Sequence, residues 1–232
     1  MGRKRAFSWR MRIAATALLA ALGAGGWLWW RAQHWAPDRA EFPVQGVLIG
    51  ARDGAADFKA LRAIGARFAY LEASKGAAAR DTLFAANLQR VRASGMSFGA
   101  LHDYDPCVPA ERQAANFVTI VPRDEELLPP AISLDKLADG CAESVSEAAV
   151  ESELTTFLNQ IEGHVGQPAV LKLSPEFEER YRIAGRLERN LWLTRDWRQP
   201  DYAGRPWTLW TANGALRTEA GDLPVRWVVL QP

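Results

Sequence analysis

From Val47 to the C-terminus, short apolar runs alternate with longer stretches whose apolar residues recur at three- and four-residue spacing. The short runs are Val47–Ile49, Phe68–Ala73, Ser97–His102, Ala131–Leu134, Ala169–Leu173, Leu191–Thr194, Trp207–Trp210 and Trp227–Leu230, and they read as strands. The longer ones, Ala56–Ile64, Thr82–Ser94, Ala110–Val121, Ser146–His164 and Glu176–Ala184, read as helices. Local signals agree with this division. Asp81 is placed to cap the second helix, whose Leu83, Phe84, Asn87, Leu88 and Val91 line one face. Ser174-Pro175 puts a cap and a proline at the start of the fifth. Gly65 and Gly95 each follow a helix and precede a strand, as the turns of β/α units do. The pattern predicts an α/β fold: an irregular (β/α) TIM-like barrel of about eight strands and five helices, with the helices concentrated in its first two thirds.

The N-terminal segment breaks this pattern. Residues 13–30 carry no charge over 18 positions, just long enough to span a membrane. Arg3, Lys4, Arg5, Arg10 and Arg12 precede the run, which places the N-terminus in the cytoplasm and the rest of the chain outside. Trp27, Trp29 and Trp30, followed by Arg31, resemble an interfacial belt. A cleaved signal peptide ending near Ala21-Leu22-Gly23 is the competing reading. The expected organisation is a basic cytoplasmic tail over 1–12, a transmembrane signal anchor over 13–30, a linker over 31–43 and a barrel domain over 44–232. Such a chain sits in a bacterial inner membrane as a single-pass protein with its C-terminal domain in the periplasm.

Composition adds little to the fold but excludes some functions. Apolar residues make up 48% and charged residues 24%, ordinary for a globular chain. The net charge of +1 hides a split, since the five basic residues of the tail leave 23 basic against 27 acidic residues. No basic face suited to nucleic acid is indicated. Cys107 and Cys141 read as one disulfide in an exported chain, or as two buried thiols. Without CxxC spacing, and with three scattered histidines, no metal ligand set is expected, nor any cofactor.

The candidate chemistry centres on residues 127–141, LLPPAISLDKLADGC. A strand emerging from prolines and presenting Asp135 at its C-terminal tip is how (β/α) barrels place catalytic acids. Around it, GVLIGARDG at Gly46–Gly54, FAYLEASKG at Phe68–Gly76, the D-x-x-F-x-x-N segment of Asp81, Phe84 and Asn87, and GALHDY at Gly99–Tyr104 form a recognisable series. QAANF at Gln113–Phe117, Val121-Pro122, LPPA at Leu128–Ala131, LWL at Leu191–Leu193 and PWTLW at Pro206–Trp210 complete it. In combination these resemble the glycoside hydrolase family 25 lysozymes, which are N-acetylmuramidases, over roughly Phe42 to Gln231. The resemblance implies a peptidoglycan glycan strand as the partner. The two cysteines also fall where some bacterial members carry a cysteine pair.

The resemblance breaks at the acids. The family's D-x-E pair on the catalytic strand corresponds to Ser133 and Asp135, its first-strand aspartate to Leu48, and its late aspartate to Arg226. With two residues inserted, Asp135 takes the aspartate's place and Leu137 the acid's. Glycoside hydrolysis needs a carboxylic acid to protonate the leaving oxygen and a second negative group against the oxocarbenium-like transition state. Neither alignment restores that pair. The expected function is therefore a membrane-anchored, periplasm-facing muramidase-like domain, catalytically impaired or inactive, serving as a glycan-binding or interaction module. The alternative is an active N-acetylmuramidase with Asp135 as acid and Asp53 or Asp103 balancing charge. A third reading is a structural protein whose mouth is plugged by Leu48 and Arg226.

Further candidates are His102, Trp192, Trp210 and Asp81 as sugar contacts. His102 stands equally as a structural histidine, and Trp192, Trp207 and Trp210 equally as core. The family's KATEG becomes EASKG, so Glu72 and Lys75 invert two charges, either as a reversed ion pair or as solvated side chains. Lys172 and Glu176 flank the end of the fifth strand as a candidate polar site without a motif behind it.

Overall fold

A computed structural model describes residues 9–232, so the expected basic cluster at Arg3, Lys4 and Arg5 lies outside the described residues. Trp9–Gln33 is one helix, α1, of 25 residues with exposed side chains. At 1.5 Å per residue it is about 37 Å long, against roughly 30 Å of bilayer hydrocarbon. It is long and apolar enough to cross a membrane. The described residues divide into two units, 9–35 and Ala36–Pro232, and the second begins within the stretch read as a linker.

The second unit is built on strands β1 (Gln45–Ile49), β2 (Phe68–Lys75), β3 (Ala79–Arg80), β4 (Ser97–Asp103), β5 (Ala131–Leu134), β6 (Val170–Leu173), β7 (Asn190–Thr194), β8 (Leu209–Leu216) and β9 (Val225–Leu230). Helices α2 (Phe58–Ala63), α3 (Phe84–Ser94), α4 (Ala110–Ile120), α5 (Glu147–Val165) and α6 (Pro175–Tyr181) lie between them. The strand order is β1-β9-β8-β7-β6-β5-β4-β2-β3, and pairing of β1 with β2 closes the first eight into a barrel. Neighbours from β1 through β2, β4, β5, β6, β7 and β8 are parallel, whereas β9 runs antiparallel to both β8 and β1. β3 is a two-residue antiparallel flap on the end of β2.

Each expected strand and helix is present, with ends displaced by a few residues. The capping signals act as their chemistry requires. Ser174 Oγ accepts the Phe177 amide at 3.1 Å, with Pro175 in the first turn of α6. Gly95 closes α3 at φ +69°, a backbone region costly for residues with a Cβ. Asp81 acts slightly earlier than expected, since Oδ1 accepts the Leu83 amide at 2.8 Å in the turn that leads into α3. The final strands extend differently: β8 starts at Leu209, so Trp207 precedes it. Trp207 and Trp210 therefore share one aromatic cluster with Phe42 instead of facing opposite ways.

Alternation along the strands divides the core into two layers. Leu48, Phe68, Tyr70, Leu101, Ala131, Val170, Trp192, Leu209 and Val228 fill the barrel interior. Residues between them, such as Ile49, Leu71, Ile132 and Leu171, are buried on the other side of the strands. The interior is thus a packed plug, and the cleft described below opens above it, at the C-terminal ends of the parallel strands.

Cys107, after β4, and Cys141, after β5, form the disulfide, with Cα atoms 5.2 Å apart. A sequence separation of 34 corresponds to roughly 3–4 kcal/mol in the chain-entropy model. The Cys107→Ser, Cys141→Ser chain should therefore lose about that much unfolding free energy in urea denaturation. A midpoint unchanged from the parent would refute the crosslink's contribution.

Candidate active site

The register of the barrel strands brings the cleft residues together. Lys75, Asp103, Ser133, Lys172 and Trp192 are successive partners across β2, β4, β5, β6 and β7. A register shift between Glu72 and Ser74 sets Ser74 beside His102 and Lys75 beside Asp103. On the other side of the barrel, Leu48 of β1 is the register partner of Arg226 on β9. Above the plug, to which Trp192 belongs, Lys75, Asp103, Ser133, Lys172, Leu48 and Arg226 line a cleft of about 360 Å³ together with Arg52, Glu72, Arg80, Asp81 and Asp135.

Most of the charge in this cleft is held in ion pairs. Arg226, with 9% of its side chain exposed, donates to Asp53 Oδ2 at 2.5 Å and to Glu72 Oε1. Arg52 Nη2 adds a contact to Glu72 at 3.5 Å. Asp53 is held from behind by the Gly50 amide at 2.7 Å. Lys75 pairs with Asp103 at 2.8 Å, and the hydrogen bond and charge of that carboxylate raise the lysine's pKa. Ser133 Oγ donates to Asp135 Oδ2 at 2.6 Å, while Lys172 Nζ reaches Ser133 Oγ at 3.1 Å and Asp135 Oδ2 at 3.2 Å. Asp81 accepts the Ala51 amide at 2.6 Å as well as that of Leu83, tying the loop after β1 to the turn before α3.

Glu72 and Lys75 are therefore not partners of each other. Glu72 neutralises Arg226, so a cation on β9 and an anion on β2 form one pair. Gly50 makes room for it, because a Cβ there would lie 2.1 Å from Glu72 Oε2.

Of the predicted sugar contacts, only Asp81 reaches the cleft. His102 is fully buried and points away from the cleft, because Leu101 and Asp103 on either side of it face inward. Its ring packs on Phe117 and Phe157 of the surrounding helices. Gln113 Nε2 donates to the carbonyls of Asp105 and Val108, which leaves Oε1 to accept from His102 Nε2–H at 3.3 Å. His102 Nδ1 then accepts the Ser74 hydroxyl at 2.8 Å. Trp192 is also a correction: it lies in the plug, packs on Tyr70 with ring centroids 5.0 Å apart and donates to Thr211 Oγ1 at 2.8 Å. Trp210 sits in the outer aromatic cluster, with Nε1 donating to the Arg195 carbonyl at 2.7 Å. Among the described residues, the cleft lining holds no aromatic side chain.

Arg52 and Arg80 were not anticipated as cleft residues. The available signal was their position, one just beyond β1 and the other on the flap after β2.

Burial pushes the His102 imidazole down to about 4, against a weaker opposing effect of the Gln113 hydrogen bond. The unfolded chain, with an ordinary histidine near 6.5, then binds the proton that the folded chain refuses. Stability should fall as pH drops from about 6.5 towards 4, by on the order of 3 kcal/mol from this group. Thermal melts across that window check this, and His102→Gln should flatten the slope. For the ion pairs, Arg226→Ala should cost about 3–5 kcal/mol by leaving acids unpaired. A double-mutant cycle with Glu72→Gln should recover a coupling above about 1 kcal/mol. Additive losses would show that the pair is dispensable.

The family model described as Glycosyl hydrolases family 25 matches residues 49–215. A family 25 glycosyl hydrolase from Bacillus anthracis superposes with a TM-score of 0.77 at 23% identity, covering 86% of this chain and 93% of that one. A bacterial lysozyme from Streptomyces coelicolor gives 0.73 at 20% identity, covering 82% and 92%. At these identities the likeness speaks for the fold alone. Among curated relatives, the uncharacterized protein YegX of Escherichia coli K12 is 23% identical over 161 residues, which are 68% of this chain and 57% of that protein. The chain thus spans little more than half the length of the curated relatives it matches.

Proposed function

The chain belongs to family 25 of the glycosyl hydrolases, and from that premise we propose that it is a membrane-anchored domain that holds peptidoglycan without cleaving it at an enzyme's rate. One observation carries the reading. Where the family's chemistry requires carboxylates, the cleft presents Leu48, Ser133 and Arg226, and its remaining candidate acid, Asp135, is engaged by Ser133 and Lys172.

The cost to catalysis follows from charge. A general acid contributes roughly 10²–10⁴-fold, and an oxocarbenium-like transition state needs a nearby anion as well. Asp53 and Asp103, the two acids offered as substitutes, are bound to Arg226 and Lys75. The nearest charges to a developing cation are then as much positive as negative. An active muramidase using Asp135 is the second reading, favoured by the 47% exposure of that side chain at the cleft. An open cleft of about 360 Å³ argues against a mouth sealed by Leu48 and Arg226, since these form its floor.

The proposed setting is the periplasmic side of an inner membrane. Residues 13–30, within α1, serve as the signal anchor, residues 1–12 form the cytoplasmic tail, and 44–232 form the muramidase-like domain. The length and apolar character of α1 and the basic residues before it support this arrangement. An exported location also suits a chain whose cysteines are paired.

The full-length protein in detergent should co-sediment with purified peptidoglycan sacculi and release no soluble fragments above buffer. Robust release that disappears in Asp135→Ala would establish the active reading instead. A reciprocal gain of function is expected when Leu48→Asp, Ser133→Asp, Asp135→Glu, Arg226→Asp and Glu72→Lys are combined, of about 10²-fold or more over the parent. Glu72→Lys must accompany Arg226→Asp, because otherwise the carboxylate introduced on β9 would face those of Glu72 and Asp53.

A further inference from the structure

Where the muramidase pattern places acids, this cleft has gained hydrogen-bond donors. Lys172 has 12% of its side chain exposed, and its ammonium reaches only Ser133 Oγ and Asp135 Oδ2 among the described side chains. Three N–H donors with two acceptors leave one in reserve. On the opposite wall, Arg226 Nε is buried without a partner, next to Leu48, which can accept nothing. Three described residues have buried side-chain atoms lacking partners, and Arg226 is the one that lines the cleft. The unmet capacity of the floor is therefore donor capacity.

The pair formed by Lys172 and Asp135 is also lopsided. Lys172 is the buried member and is fixed by its place on β6, whereas Asp135 stands beyond the end of β5 with 47% of its side chain exposed. An exposed carboxylate can return to water at little cost, but a buried ammonium cannot be left alone. Building on the peptidoglycan-binding reading, we propose that Lys172 and Ser133 form a recognition site for a ligand carboxylate. In the empty cleft Asp135 acts as the internal stand-in that such a ligand displaces. A cleft with a buried arginine, a largely covered lysine and, among the described residues, no aromatic platform suits a carboxylate-bearing group better than an uncharged sugar face. That carboxylate can be carried by a sugar or by the end of a peptide.

The test is calorimetric titration of the full-length protein in detergent with three probes. N-acetylglucosamine is neutral, N-acetylmuramic acid is the same sugar with an added lactyl carboxylate, and D-alanyl-D-alanine carries a peptide carboxylate. At least tenfold tighter binding of one or both carboxylates over the neutral sugar is expected, and which one prevails assigns the source. Asp135→Asn should tighten that binding several-fold by removing the competitor. Lys172→Met should abolish the preference, and Ser133→Ala, a smaller change that keeps the fold if Lys172→Met does not, should reduce it. Equal affinities for all three probes, or weaker carboxylate binding in Asp135→Asn, would overturn the site. Sedimentation with sacculi separates this outcome from the premise: retained sedimentation with no carboxylate preference sinks only the carboxylate site. Lost sedimentation with the preference intact sinks the peptidoglycan reading.

Discussion

The guanidinium of Arg226 is the constraint on which the rest of this cleft depends. It projects from β9, the one barrel strand that runs against its neighbours, into the floor between β1 and β2. A buried arginine survives there only with acceptors in place, and Asp53 and Glu72 supply them. Asp53 is in turn fixed by the Gly50 amide, and Glu72 fits because Gly50 has no side chain. The loop after β1, the bend in β2 and the last strand are thus locked to one another by a single cation.

That lock also sets the electrostatics of the mouth. Two unit charges at 4 Å interact by about 4 kcal/mol at an effective dielectric near 20. An aspartate in place of Arg226 would meet Glu72 and Asp53 with repulsion of that order, and a lysine in place of Glu72 would repel Arg226 equally. Either exchange alone would therefore weaken the lock, because each side of it is held by the charge of the other.

Much of the barrel was legible because period-two and period-3.6 patterns, glycine stops and the Ser174-Pro175 start are local signals. That Asp135 stands at the mouth was equally legible, since it follows the short apolar run of β5 directly. What the sequence concealed depends on which way a side chain faces and on what it meets. His102 looked like a cleft residue because it ends a strand, yet alternation from Leu101 turns it towards Phe117 and Phe157. Trp192 was ambiguous between plug and platform, and only the packing of eight strands around it decides for the plug. The bulge near Ala73 has no signature in FAYLEASKG, although it determines that Lys75 meets Asp103. The partner of Glu72 lies 154 residues away, beyond the reach of any spacing argument.

A catalytic site that had merely decayed would bear the marks of lost partners: a cavity where an acid had stood, or a base left without its counter-charge. This cleft bears few of them. Ser133 is bonded on both sides, by Lys172 and to Asp135. Arg226 satisfies two carboxylates, and Lys75 and Asp103 satisfy each other. The residual imbalance is one buried Nε beside Leu48, which is a donor without an acceptor. Acids and bases are thus interleaved across the pocket, and its charged side chains hold one another in place. What remains unspent in it is donor capacity, at Lys172 and at Arg226 Nε, and an approaching anion is the partner such donors suit.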